Sequence, residues 1–478
     1  MKNKVLSLFL LSALTVSTAS AQTYAHGRSE TYTAPTDEKV LEKLDKWQDQ
    51  KFGMLIHYGL YSQMGIVESW SICAEEEDWI PRDSTITYDA YKRKYWNTIN
   101  EFKPDKLDPA SWAKYGKQAG MKYAVFTTKH HDGFNMFDTK QTDFSIANGA
   151  FKNDPRRNVA KEVFNAFRNE GYMIGAYYSK PDWHSQYYWW DRYATPTRNV
   201  NYNIENNKWR WNKFKEFSYN QIQELMNGDY GNIDILWLDG GWVRPARPSD
   251  AERQGRAYKG SQDIDMPKIA AMARSYQPGL LVVDRTVPGE FENYQTPERG
   301  IPDMQLNNPW ESCITLGWDW GYTPTDQYKT PAKVIHTLVE IVAKGGNLLL
   351  GIGPKPDGTL PDEVSQRLVK IGAWTTKNGE AIYNTRITPN YRDESTWFTQ
   401  SKDGKTIYAI ACLEEGKPLP KTIVWSANEP VKGSKVIFLE TGKPVSWKKT
   451  AKGIEVSVPK GLPADQAALA FAFAPSVK

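Results

Sequence analysis

Ile233-Asp234-Ile235-Leu236-Trp237-Leu238-Asp239-Gly240-Gly241 is the stretch from which the rest of the chain can be read. An apolar run of strand length delivers an acidic residue into a Gly-Gly turn, and a helical connector over 215–226 leads into it. The same unit recurs along the chain. Apolar runs at 53–57, 123–127, 173–178, 280–283 and 347–352 each stop at Gly, Asp, His or Ser, with helical stretches such as 109–119 and 159–170 between them. Strand, loop and helix in repetition mean an α/β protein whose parallel strands are joined by crossover helices. At least six such units predict a closed (β/α)8-like TIM barrel, with an open doubly wound sheet as the second choice.

The flanks differ in kind. Lys2 and Lys4 precede an apolar run over 5–16 and the small triplet Ala19-Ser20-Ala21, the pattern of a secretory signal peptide over 1–21. That run is too short to span a bilayer, and Gln22 rather than Cys follows the cut. An exported protein, periplasmic or secreted, with no membrane insertion and no lipid anchor is therefore expected. Beyond Tyr383 the helical pattern stops. Short runs at 397–399, 406–413, 421–425, 435–439, 454–458 and 467–474, separated by Gly, Lys and Pro turns, predict an all-β sandwich. The expected division is a barrel over 22–385 and a C-terminal β-sandwich over 386–478. Residues 181–211, dense in Trp, Tyr and Asn, are expected to form a long loop over the barrel mouth.

Composition narrows the function classes. The chain has 478 residues, 40% hydrophobic and 24% charged, inside the range of folded globular proteins. Its net charge of +4 falls to +2 once Lys2 and Lys4 are set aside, which excludes the basic stripe of a nucleic-acid binder. Cys73, Cys313 and Cys412 are widely spaced in a chain large enough to hold a core without disulfides. No Asn-x-Ser/Thr acceptor occurs, which favours a bacterial source. The composition specifies no oligomeric state.

Side chains at the C-terminal ends of barrel strands converge on one pocket. Here those ends are His57, Lys129-His130-His131-Asp132, Tyr177-Tyr178-Ser179, Trp237-Leu238-Asp239 and Asp284-Arg285. Aromatic rings for sugar C–H faces and fixed polar groups for hydroxyls make this the inventory of a carbohydrate pocket. Asp239 reads either as a turn-forming Asp before Gly or as the ionised carboxylate of a retaining glycosidase. The second carboxylate such an enzyme needs lies among Glu290, Glu292 and Glu298, and residue pattern alone leaves the choice open. Adjacent strand residues point to opposite faces, so the plain reading of His130-His131 is one core histidine and one loop hydrogen-bonder. No H-E-x-x-H and no Cys cluster occurs; a His57, His131 and Asp239 set is the metal arrangement to consider. Trp318-Asp319-Trp320-Gly321-Tyr322 reads as barrel wall, and the glycine pairs near 345 and 351 lack a nucleotide-binding context.

Taken together, several stretches resemble glycoside hydrolase family 29, the α-L-fucosidases. They are Lys51-Phe52-Gly53, His57-Tyr58-Gly59-Leu60-Tyr61-Ser62, Thr127-Thr128-Lys129-His130-His131-Asp132-Gly133-Phe134, Tyr177-Tyr178-Ser179, Trp237-Leu238-Asp239-Gly240-Gly241-Trp242 and Thr296-Pro297-Glu298. Residues 318–322, 344–349, 353–358 and 378–383 continue the match in the family's order. The resemblance implies a (β/α)8-like barrel followed by a β-sandwich. It also implies removal of terminal α-L-fucose from oligosaccharide or glycoconjugate glycans with retention through a covalent glycosyl-enzyme. By resemblance the nucleophile is Asp239 and the acid/base Glu298. Fucose contacts carry over to His57, Glu68, Trp70, His130, His131, Tyr177, Trp237 and Arg285, with the histidines as hydroxyl ligands and neither metal nor cofactor.

The chain departs from the family pattern in places. Its Glu-Trp pair is Glu68-Ser69-Trp70, with one residue inserted, and a second pairing, Glu77-Asp78-Trp79, lies close by. Tyr58 stands for a common Trp, and Gly351 for a usual Asn. Two other readings share the scaffold. One is a glycosidase for galactose-type sugars, which differ from fucose at one methyl group. The other is an inactive carbohydrate-binding protein, against which the presence of both Asp239 and Glu298 argues.

Overall fold

The computed structural model describes residues 28–73, 82–255 and 258–476. The leader expected over 1–21 and the Glu77-Asp78-Trp79 pairing lie outside the described residues. Seven parallel strands form the central sheet: β1 (Phe52–Ile56), β2 (Tyr123–Lys129), β3 (Met173–Ser179), β4 (Ile235–Asp239), β5 (Leu281–Asp284), β6 (Glu311–Thr315) and β7 (Asn347–Ile352). Their order is β5-β4-β3-β2-β1-β7-β6. Chain order thus runs around a barrel with one irregular position, between β5 and β6. Residues 292–298 occupy it, with Glu292 bridged to Val283 of β5, and Gln295 and Glu298 bridged to Trp310 and Cys313 on the β6 side. The barrel expected from sequence is present, its eighth position a bridged segment rather than a regular strand.

Alternation decides what fills the barrel. Leu55, Tyr123, Val125, Tyr177, Ile235, Trp237, Leu281, Val283, Cys313 and Leu349 pack inside as one cluster. Their strand neighbours Met54, Ala124, Tyr178, Leu236, Leu238 and Val282 join the core beneath the helices. The helix Glu38–Gln50 plugs the N-terminal end, where Trp47 stacks on Tyr294 at 3.9 Å. Outer helices include Pro109–Ala119, Val159–Asn169, Lys208–Met226, Met266–Tyr276, Pro331–Ala343 and Asp362–Asn378. Several begin where a side chain satisfies free backbone N–H groups: Asp108 accepts from Ser111, Asn158 from Lys161 and Thr330 from Lys333.

Two sequence expectations need correction. The strand Glu311–Thr315 was not foreseen, because Glu311, Ser312 and Thr315 interrupt its apolar run. The helix leading to β4 begins at Lys208, not 215, so the last residues of the 181–211 insertion are helical. Its apolar face of Trp211, Phe214, Phe217, Ile222 and Leu225 is buried at helical spacing.

The C-terminal part packs one sheet of strands Lys443–Val445, Val436–Phe438, Ala468–Phe473, Ile407–Cys412, Thr396–Ser401 and Thr385–Arg386 against a smaller sheet of Thr422–Trp425, Gly453–Ser457 and Trp447–Thr450. Trp425, Phe398, Val456, Phe471 and Phe473 fill the space between them. Among the described residues no helix is long and apolar enough to cross a membrane.

Candidate active site

The inward rows continue past the strands. Two residues beyond Leu55 is His57, beyond Trp237 is Asp239, and beyond Val283 is Arg285, so one parity rule brings three polar residues to the same mouth. The turn after Asp239 demands glycine: Gly240 has φ of 88°, and a Cβ there would lie 2.3 Å from Pro181 Cδ. Its N–H donates to Asp239 Oδ1 at 2.8 Å.

Asp239 is surrounded by donors. Arg285 Nη1 donates to Oδ1 at 2.8 Å, Tyr177 Oη donates to Oδ2 at 2.7 Å, and His131 Nε2 stands 3.7 Å from Oδ2. Burial on its own would raise this carboxyl, but Arg285, His131, the Tyr177 hydroxyl and the Gly240 N–H hold it far below the usual carboxylate range. Arg285 serves a second carboxylate, its Nη2 donating to Glu298 Oε2 at 2.9 Å. Both acids keep some contact with solvent, 20% for Asp239 and 17% for Glu298, whereas Arg285 beneath them is 5% exposed. Trp237 supports the guanidinium, whose centre lies 4.4 Å from its ring.

The three glutamates left open by sequence separate here. Glu290 is exposed. Glu292 is buried, accepts from Ser29 Oγ at 2.6 Å, and is pushed up to about 7 by that burial. Of the three, Glu298 is the one paired with Arg285 in the pocket.

His130 and His131 contradict the plain reading that one of them is a core residue facing away. Both rings lie in the pocket, with centroids 4.3 Å apart. The physical cause is a register shift between Thr127 and Lys129, which sends Lys129 outward beside Tyr178 and leaves the chain free of strand alternation beyond it. His130 Nδ1 is hydrogen-bonded with Ser69 Oγ, and His131 Nδ1 with Ser179 Oγ at 2.6 Å. Burial pushes His130 down to about 4 against the pull of Asp239. His57 and His131 are also lowered, by burial first and then by neighbouring imidazoles, so the pocket presents neutral rings. His57 Nδ1 is buried without a hydrogen-bond partner among the described residues.

Ligand atoms of His130, His131 and Asp239 lie within 4.8 Å of one another, a set that differs from the His57, His131 and Asp239 trio considered from sequence. Both Asp239 oxygens already accept from fixed donors, which hold the carboxylate in one orientation.

Glu68 and Trp70 reach the same region by different routes. Glu68 is buried and its Oε1 accepts from the backbone of Trp320 at 2.8 Å and Gly321 at 3.1 Å. Burial and the nearby Asp319 push its carboxyl up to about 7. Trp70 packs edge-on against His131 at 5.0 Å and lies 5.9 Å from Trp242. Trp320, read from sequence as wall, stacks on His57 at 5.4 Å and belongs to the pocket. Ser179 closes a strand end already singled out from sequence, whereas Ser69 carried no signal of its own; each fixes one histidine ring.

The family model for α-L-fucosidase matches residues 19–380. Human plasma α-L-fucosidase is 28% identical over 447 residues, spanning 90% of each chain. Among solved structures, α-L-fucosidase isoenzyme 1 from Paenibacillus thiaminolyticus is 29% identical with a TM-score of 0.71, covering 92% of this chain and 100% of its own. The Thermotoga maritima α-fucosidase solved in complex with fucose is 28% identical with a TM-score of 0.70, covering 93% and 100%. By the extent of the family match, this chain belongs to the α-L-fucosidase family and is a glycoside hydrolase.

Proposed function

We propose that the chain releases terminal α-L-fucose from glycans with net retention, using Asp239 as nucleophile and Glu298 as acid/base. The observation that carries this is the pair of carboxylates on two arms of one guanidinium, with Asp239 held ionised. A retaining mechanism needs two carboxyls near each other on opposite sides of the scissile bond, about 5–5.5 Å apart. In the first step Asp239 Oδ attacks the anomeric carbon as the glycosidic bond breaks. Glu298 supplies the proton to the departing oxygen. In the second step Glu298 removes a proton from water, whose oxygen displaces Asp239. Arg285 and Tyr177 hold Asp239 in position for both steps. His57, His130 and His131 offer neutral ring nitrogens to the sugar hydroxyls, and Glu68 shares their rim. Trp70, Trp237 and Trp320 supply the apolar faces that a 6-deoxy sugar and its methyl require.

The test is hydrolysis of an aryl α-L-fucoside followed by NMR. The first-formed sugar is expected to be α-fucose, with Asp239→Ala at background and Glu298→Ala lowered about 10²–10⁴-fold on natural glycans. A first-formed β anomer, or Asp239→Ala with wild-type activity, would sink the reading.

We further read residues 1–21 as an export leader, 22–385 as the catalytic unit and 386–478 as its companion sandwich, in a bacterial periplasmic or secreted enzyme. The charged start, apolar stretch and small triplet before Gln22 support this. N-terminal sequencing of the exported protein should begin at Gln22; a mature chain starting at Met1 would refute the leader.

A further inference from the structure

The turn 317–321 carries a feature that cleavage of fucose alone does not require. Its backbone polar groups are held on all sides. Thr315 Oγ1 and Lys329 Nζ donate to the Gly317 carbonyl at 2.7 and 3.0 Å, and the Trp318 N–H donates to Asp326 Oδ1 at 2.6 Å. Arg299 Nη1 donates to the Trp318 carbonyl at 2.8 Å, while the Trp320 and Gly321 N–H groups donate to Glu68. Gly317 is needed for this clamp, since a Cβ there would lie 1.9 Å from Asp326 Oδ2. Within this fixed turn, Trp320 faces His57, yet Trp318 is 60% exposed.

A single exposed tryptophan is ordinary on a protein surface. This one is distinguished by what fixes it. Arg299 directly follows Glu298, adopts φ of 54° where a residue other than Gly is uncommon, and places its guanidinium 5.0 Å from the Trp320 ring while gripping the Trp318 carbonyl. Glu298 and the turn bearing Trp318 are therefore joined through the side chain of the adjacent Arg299. A backbone held by these bonds and presenting an exposed indole, one arginine removed from the candidate proton donor, has the form of a stacking platform. An indole face is suited to the C–H face of a pyranose ring.

We propose that Trp318 forms the leaving-group subsite, stacking on the sugar from which fucose is cleaved, and so selects fucosylated oligosaccharides over fucosides with small leaving groups. This rests on the reading of Glu298 as the group that protonates the departing oxygen. The probes are a fucosylated trisaccharide, whose leaving group carries a pyranose face, and α-L-fucosyl fluoride, whose leaving group has none. The readout is the ratio of kcat/KM for the trisaccharide to that for the fluoride. Trp318→Ala is expected to lower this ratio about fivefold, and Trp318→Tyr, which keeps an aromatic face, to restore most of it. A ratio within about twofold of wild type in Trp318→Ala, or an equal loss in Trp318→Tyr, overturns the proposal. Wild type that cleaves neither probe, or Glu298→Ala that retains full activity on the trisaccharide, overturns the active-site reading and the subsite with it.

Discussion

Arg285 donates to two carboxylates at once, and its planar fork is what makes that possible. A lysine keeps the charge but cannot hold both acids in one geometry. Arg285→Lys should therefore lower kcat/KM about 10²-fold, the scale of losing one fixed donor in an active site. The pH dependence has a definite sign. Asp239 lies far below the usual carboxylate range because the guanidinium and its fellow donors outweigh burial. Weakening that hold raises its carboxyl, so more of it is protonated in mild acid, and the acidic limb of kcat/KM moves to higher pH in the variant. A pH–rate profile of the two proteins reads this directly; an acidic limb unmoved in Arg285→Lys would show that Arg285 does not govern Asp239.

Elements place these residues, and one buried ion pair ties an element to the site. Lys129, sent outward by the register shift in β2, meets Asp182 at 3.2 Å with both side chains almost fully buried. Asp182 also accepts from the backbone of His184 and Ser185, at 3.1 and 2.8 Å, and the Trp183 N–H donates to the His131 carbonyl at 2.8 Å. The pair therefore anchors the start of the aromatic insertion to the strand end that bears the histidines. Asp182→Ala leaves a buried ammonium without its counter-charge and should cost about 3–5 kcal/mol of stability. Denaturant unfolding measures it, and a loss under about 1 kcal/mol would mean that the anchor is not structural in this way. The element scale is also where sequence reading was weakest. Asp239, Arg285 and His57 were legible because each ends an apolar run on the inward parity. The strand Glu311–Thr315 was not, because a buried carboxylate leads it. Glu311 accepts from Trp237 Nε1 at 3.0 Å and Tyr123 Oη at 2.7 Å, partners that no local pattern reveals. The shared placement of His130 and His131 depends on an irregularity that alternation cannot anticipate.

At the scale of the molecule, the barrel and the sandwich form a continuous body. Trp374 Nε1 and His336 Nε2 hydrogen-bond to the carbonyls of Ala468 and Ala467, at 2.9 and 2.8 Å. Arg386 and Lys402 both pair with Asp45 and Asp49 of the helix that plugs the barrel. The sandwich was legible from short runs and turn residues, although strands such as Lys443–Val445 and Trp447–Thr450, polar and at sheet edges, gave no signal. In the barrel the closing segment 292–298 is what brings Glu298 to the rim, beside β5 and two positions from Asp239's strand. Its position follows from pairing with β5 and β6, not from its own sequence. The division of labour between Asp239 and Glu298 is the central claim, and azide rescue of their alanine variants on an aryl α-L-fucoside tests it most directly. Asp239→Ala with azide should yield the inverted β-fucosyl azide, because azide replaces the nucleophile. Glu298→Ala with azide should yield the retained α-fucosyl azide, because azide takes the place of water on a fucosyl-enzyme. Exchange of these two products, or their absence while both variants still turn over, would contradict the account.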